Sequence, residues 1–226
     1  MRYFLILLFL LSPCLQAQDS TRMHLLFKAG INANYISGPN CQKYEPHRAP
    51  GLKFGIGFEL KSDKLNTAGL ELSYNERNAL WGRGFIDFSG GDYVIYRLKY
   101  VSIKPYYRLK SNIGNLFKNF YVEIGAPISY NLSARQEWHV EMDEFWGDWE
   151  VGPDNIRSEI NKFEAGIFYA LSFPFVGQLS IDFSFYQAIS HLYGKHKIYE
   201  DDLKNKEDFK NHSFSVSFTY RIPIAK

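Results

Sequence analysis

The densest set of side chains able to do chemistry lies in residues 135–161. Eight carboxylates (Glu137, Glu141, Asp143, Glu144, Asp148, Glu150, Asp154 and Glu159) face two arginines there, beside three of the four tryptophans, Trp138, Trp146 and Trp149. Tryptophan supplies large, rigid contact area at protein–protein hot spots. Trp138, Trp146 and Trp149, with Glu141, Asp143 and Glu144, are therefore the candidate partner-binding surface. His139, Glu141, Asp143 and Glu144 also offer ligands suited to a hard divalent cation, but their spacing matches no calcium-loop pattern, so no metal site is assigned. The plain alternative is a solvated acidic loop whose tryptophans pack locally or rest at a lipid interface.

Nucleophilic chemistry has one candidate, Ser190 next to His191, with Glu200 and Asp201 downstream. A nucleophile needs its base within hydrogen-bond reach and a third group to orient that base. Neighbouring residues on a strand point to opposite faces, so this pair meets only if the strand has already ended. Gly55-Ile56-Gly57 lies in a strand pattern with no helix after it, which rules out a nucleotide-binding loop. No catalytic, cofactor-binding or metal residue is assigned.

The elements that must position these groups are read from a period of two. The clearest is residues 212–224, where Phe214, Val216, Phe218, Tyr220, Ile222 and Ile224 alternate with Ser213, Ser215, Ser217, Thr219 and Arg221. The same alternation marks strands at about 25–35, 51–60, 67–78, 94–109, 120–134, 163–173 and 179–190. In the fourth of these, Tyr96, Leu98 and Tyr100 have the opposite parity to Val101, Ile103 and Tyr107, which predicts a β-bulge near Tyr100–Val101. Pro105, lacking an N–H, counts mildly against that strand.

Eight strands with connections alternating long and short predict an all-β, eight-stranded antiparallel up-and-down transmembrane β-barrel. A soluble eight-stranded barrel is the competing architecture, with the opposite face inward. The apolar faces are almost free of charge and Tyr, Phe and Trp recur near strand ends, which favours the membrane. The polar face then lines the interior with Lys28, Lys53, Arg77, Lys104, Arg108 and Arg221 against Glu59, Glu71, Glu123, Glu164 and Asp182. Six bases and five acids nearly cancel, as a buried charge-paired network requires. A barrel this narrow is filled by its own side chains, which favours a rigid plug over a pore.

Of 226 residues, 17% are aromatic, with 16 Tyr and 19 Phe, and the formal charge is only +2. That composition suits β-structure and shows no nucleic-acid footprint. Residues 1–17 carry Arg2, an apolar run and small residues ending at Ala17, the pattern of a secretory signal peptide, which leaves residues 18–226 as the barrel domain. Cys14 raises a lipidation alternative that Pro13 fits poorly. Beyond the signal, Cys41 is the single cysteine, so no intrachain disulfide is expected.

Several stretches resemble the PorT-like outer-membrane β-barrel family. They are Phe27-Lys28-Ala29-Gly30-Ile31-Asn32, residues 51–59 (GLKFGIGFE), Gly69-Leu70-Glu71-Leu72-Ser73-Tyr74, Tyr100-Val101-Ser102-Ile103-Lys104-Pro105, Phe120-Tyr121-Val122-Glu123-Ile124-Gly125-Ala126-Pro127, Phe185-Tyr186-Gln187-Ala188-Ile189-Ser190 and the closing strand. The resemblance implies an integral barrel in the outer membrane of a Gram-negative envelope, without catalytic residues. Its namesake contributes to assembling a secretion system. The expectation is thus a non-enzymatic outer-membrane barrel with lipid and another envelope protein or secretion-system component as partners, and no cofactor. A small porin-like channel and a lipid A-modifying barrel enzyme are the alternatives. The His-x-Ser-Asn arrangement of deacylase barrels is absent.

Overall fold

Alternating apolar and polar side chains place one set on each face of a strand, and here the alternation is sustained around a closed circuit. The computed structural model describes residues 22–37, 45–61, 66–82, 92–113, 117–140, 149–192 and 209–225. They form β1 (Arg22–Ser37), β2 (Glu45–Lys61), β3 (Asn66–Gly82), β4 (Asp92–Ile113), β5 (Phe117–Gly125), β6 (Ile128–Val140), β7 (Trp149–Asn155), β8 (Phe163–Val176), β9 (Leu179–Ala188) and β10 (Lys210–Ala225). The hydrogen-bonded order is β3-β2-β1-β10-β9-β8-β5-β4, and β4 bonds back to β3. All these pairings are antiparallel. Closure leaves the ring without an edge.

The fifth expected strand, residues 120–134, is present as β5 and β6, which share the partners β4 and β8. The break at Ala126–Pro127 has a local cause. Pro127 has no N–H to donate, and neither has Pro105, which stands opposite the adjacent Ala126 in the shared register of β4 with β5 and β6. The gap is closed from the flanks: Ala126 N donates to the Pro105 carbonyl and Gly166 N to the Pro127 carbonyl, both at 3.1 Å. Several expected loops are also shorter than their sequence reading, since β2 starts at Glu45, β6 runs to Val140 and β7 occupies Trp149–Asn155. At the other end, β8 and β9 join through Gly177 and Gln178 alone, with Gly177 at a φ of 56° that side-chain-bearing residues resist.

Exposure decides which face is inside. Ile31 is 61% exposed, Ile103 53% and Phe218 52%, whereas Glu71, Glu123 and Asp182 are 1%, 1% and 0% exposed. A continuous apolar girdle around a charged interior suits lipid and is the reverse of a soluble barrel.

The bulge expected in the fourth strand is not there. Every even residue of β4 from Val94 to Arg108 is buried without a change of parity. The irregularity sits on the neighbouring strand instead: Lys99 pairs with Ser133 and Tyr100 with Asn131, which makes Leu132 of β6 the extra residue. What changes at Tyr100 is the character of the two faces. Below it β4 turns Ser102, Lys104 and Arg108 inward and Ile103 and Leu109 outward; above it Val94, Tyr96 and Leu98 are inward while Arg97 and Lys99 are exposed. β3 does the same, with Arg77 followed by Ala79 on the inside and Leu72 followed by Glu76 and Asn78 on the outside. Past the girdle, toward the long connections, the barrel becomes a collar built like a water-soluble one.

This collar has its own apolar core. Ile36, Ala79, Val94, Tyr96, Leu98, Tyr100 and Ala134 pack with Ile156, Ile160, Leu192 and Phe209 from the connections. Main-chain bonds tie those connections to their neighbours along the rim: Ile156 N to Ala134 O at 3.2 Å, Asn161 N to Leu192 O at 2.8 Å and Leu192 N to Phe209 O at 2.7 Å. Among the described residues, apolar side chains fill the collar's interior.

Candidate functional site: the charged lumen and the long-loop end

Because β1, β2, β3, β4, β5, β8, β9 and β10 each turn alternate residues inward, the charges expected to line the interior meet there. At the short-turn end, Glu59 accepts from Arg108 at 3.1 Å, Arg221 at 2.9 Å and the Tyr106 hydroxyl at 2.9 Å. At mid-height Glu71 lies 3.1 Å from Lys28 and 2.9 Å from Lys104. Lys104 also meets Glu123 at 2.6 Å, and Lys28 meets Asp182 at 3.3 Å. Nearer the long-loop end Glu164 holds Arg77, Tyr186 and Asn211. Arg77 is flanked by two rings, Tyr100 at 4.6 Å and Tyr186 at 4.1 Å. Lys53 is buried as well, but among the described residues no carboxylate lies within ion-pairing distance of it.

Alternation sets Tyr106 and Tyr186 on the polar faces of their strands, but sequence reading missed Phe168. Its ring points inward with Lys104 at 3.7 Å and Lys53 at 5.0 Å from the centroid, the geometry of cation–π attraction. A signal existed: Phe168 is the bulky member of an otherwise small series, Gly166 and Ala170 on the same face, which leaves it room. Tyr106 and Tyr186 lie over Gly69 and Gly166; a Cβ on Gly166 would stand 2.4 Å from the Tyr186 ring. Gly166→Ala should therefore displace Tyr186 from Glu164 and lower stability by about 1–3 kcal/mol. A urea midpoint indistinguishable from wild type would show the ring has space to move.

Of the acidic, Trp-rich segment, the structure describes the backbone of both arms. Trp138 in β6 pairs in register with Val94 of β4 and Val151 of β7, and Trp149 in β7 pairs with Val140. Glu141, Asp143, Glu144 and Trp146 lie outside the described residues. Thus Trp138 and Trp149 belong to a hairpin continuing the collar wall rather than to a free loop.

The sequence profile described as "Outer membrane protein beta-barrel domain" matches residues 16–194. The chain belongs to that family. It is an integral outer-membrane protein. Solved structures similar to this barrel include Neisserial surface protein A, at 9% identity over 90% of this chain and 100% of that one, with a TM-score of 0.41. Another is the attachment invasion locus protein Ail of Yersinia pestis, at 14% identity over 88% and 98% of the two chains, with a TM-score of 0.37. A third is the translocator domain of the autotransporter NalP from Neisseria meningitidis, at 11% identity over 94% and 92%, with a TM-score of 0.30. No curated protein matches the sequence.

In an outer-membrane barrel the short turns face the periplasm and the long connections the outside. The collar with its apolar core is then external. A vestibule of about 220 Å³ opens on the periplasmic side, lined by His24, Glu59, Arg108, Tyr121 and Arg221 among others. Ser190, just past β9, has its hydroxyl engaged by Ala165, accepting from the amide at 3.0 Å and donating to the carbonyl at 3.4 Å.

Proposed function

We propose that this chain is a non-enzymatic structural barrel of eight spanning strands, β5 and β6 acting as one, that presents the β6–β7 hairpin to another envelope protein. The observation that carries this reading is the collar. β3, β4 and β6 continue past the lipid girdle and reverse their faces, which gives a stiff wall with a polar outside and a packed apolar inside. Trp138 and Trp149 lie on the two arms of the hairpin at the far end of that wall, and Trp146, Glu141, Asp143 and Glu144 come between those arms in the sequence. The PorT-like resemblance makes a secretion-system component the first class of partner to look for. The charge-paired lumen serves as a rigid plug, and the apolar core of the collar above it argues against solute passage. Ser190, held by Ala165, has the bonding of a structural hydroxyl rather than a nucleophile. Export would use residues 1–17 as the signal; they lie outside the described residues.

The test is purification from outer membranes in mild detergent, with mass spectrometry of what accompanies the barrel. A stoichiometric companion is expected with wild type and its loss with the Trp146→Ala, Trp149→Ala double variant. A companion retained by the double variant, or none with wild type, would reject the assignment.

A further inference from the structure

We propose that the lumen holds one small monatomic anion, a halide such as chloride, beside Lys53. This site is independent of what the external surface binds. Two observations lead to it, one of charge and one of space.

Each luminal carboxylate already has a cation against it: Glu59 has Arg108 and Arg221, Glu71 has Lys28 and Lys104, Glu123 has Lys104, Asp182 has Lys28 and Glu164 has Arg77. Lys53 is 5% exposed and lacks a carboxylate at ion-pairing distance among the described residues. With its amine protonated, Lys53 makes the charge of the described luminal residues one positive in excess, and a buried charge without a counterion is strongly disfavoured, so an anion beside it is what would keep the proton in place. The Phe168 ring at 5.0 Å offers Lys53 only its π face, which Lys104 shares at 3.7 Å.

Lys53 lines a cavity of about 20 Å³. That is room for one water-sized particle. Around it stand two further cations, Arg77 and Lys104, and the donor-bearing Ser73, Asn75 and Ser102. Ser73 Oγ accepts from Asn75 Nδ2 at 3.0 Å, which leaves its own proton free to donate into the cavity. Glu71 is the one acid in the lining, and its charge is shared by Lys28 and Lys104. Positive charge and O–H donors around a space this small suit a halide and exclude phosphate or sulfate by size. Water would fill the space and leave the charge unbalanced.

The experiment uses the purified full chain in detergent, with bromide in place of chloride. Crystals should show one anomalous-scattering peak within hydrogen-bond distance of Lys53 Nζ, and Lys53→Met should lose it. Raising chloride at constant ionic strength, with sulfate as the balancing anion, should raise the wild-type Tm by about 2–4 °C and leave Lys53→Met unmoved. A wild-type map with no bromide in the lumen, or the same chloride response in both proteins, would overturn the proposal. If Lys53→Met does not fold, the wild-type map alone decides.

Discussion

Replacing Glu71 by Ala is expected to cost about 3–5 kcal/mol of unfolding free energy. Glu71 is 1% exposed and lies 3.1 Å from Lys28 and 2.9 Å from Lys104. Its removal leaves two ammonium groups buried in the lumen with one carboxylate each, Asp182 for Lys28 and Glu123 for Lys104, and Lys53 close by without one. The penalty is the uncompensated charge rather than the lost attraction, which is why it exceeds any surface pair. Glu137→Ala supplies the contrast. Glu137 pairs with Arg97 at 2.8 Å on the solvent side of the collar, and that arginine side chain is half exposed. Such pairs contribute roughly 0.2–1 kcal/mol. Urea unfolding of both variants in detergent measures the difference. Equal losses would mean that water reaches the lumen freely and that the network is not a plug.

The second large effect concerns the outer face. Ile56 is the middle member of the outward series Leu52, Phe54, Ile56, Phe58 and Leu60 on β2, each at least 36% exposed. Ile56→Arg should lower stability in lipid vesicles by about 2–4 kcal/mol, because the guanidinium would sit near the bilayer midplane. Gln187→Arg, near the external end of β9, should cost only about 0–1 kcal/mol. Reversible folding into vesicles, followed by Trp fluorescence, gives both values. A soluble protein would tolerate arginine equally at two exposed sites. Identical values for the two variants would therefore place Ile56 outside the hydrocarbon.

The two predictions draw on different amounts of sequence information. The alternation of Phe214, Val216 and Phe218 with Ser213, Ser215 and Ser217 was enough to define two faces. It also put Lys28, Glu71, Lys104 and Asp182 on a common one. Alternation is symmetric, however, and does not say which face is inside; that followed from the exposure of residues such as Ile31 and the burial of Glu71. The misplaced bulge at Tyr100–Val101 shows where the same logic fails. It assumed that apolar means outward along the whole strand. β4 leaves the lipid near Tyr100, and beyond that point water is outside and the packed core is inside, so the same parity carries the opposite chemistry.

Local sequence determined the strands, their faces, the charged lining and the short turns, because each depends on neighbours two or three residues away. Only the tertiary structure decided the rest. The apolar core of the collar joins Ala79, Val94, Ile156, Leu192 and Phe209. The division of one expected strand into β5 and β6 depends on Ala126-Pro127 falling beside Pro105 in the register with β4, so that two adjacent positions of the ladder lack a donor. The isolation of Lys53 appears once every carboxylate has found its cation. Each of these rests on contacts between residues far apart in the chain, and such contacts follow from the closure and register of the sheet, which no local pattern encodes.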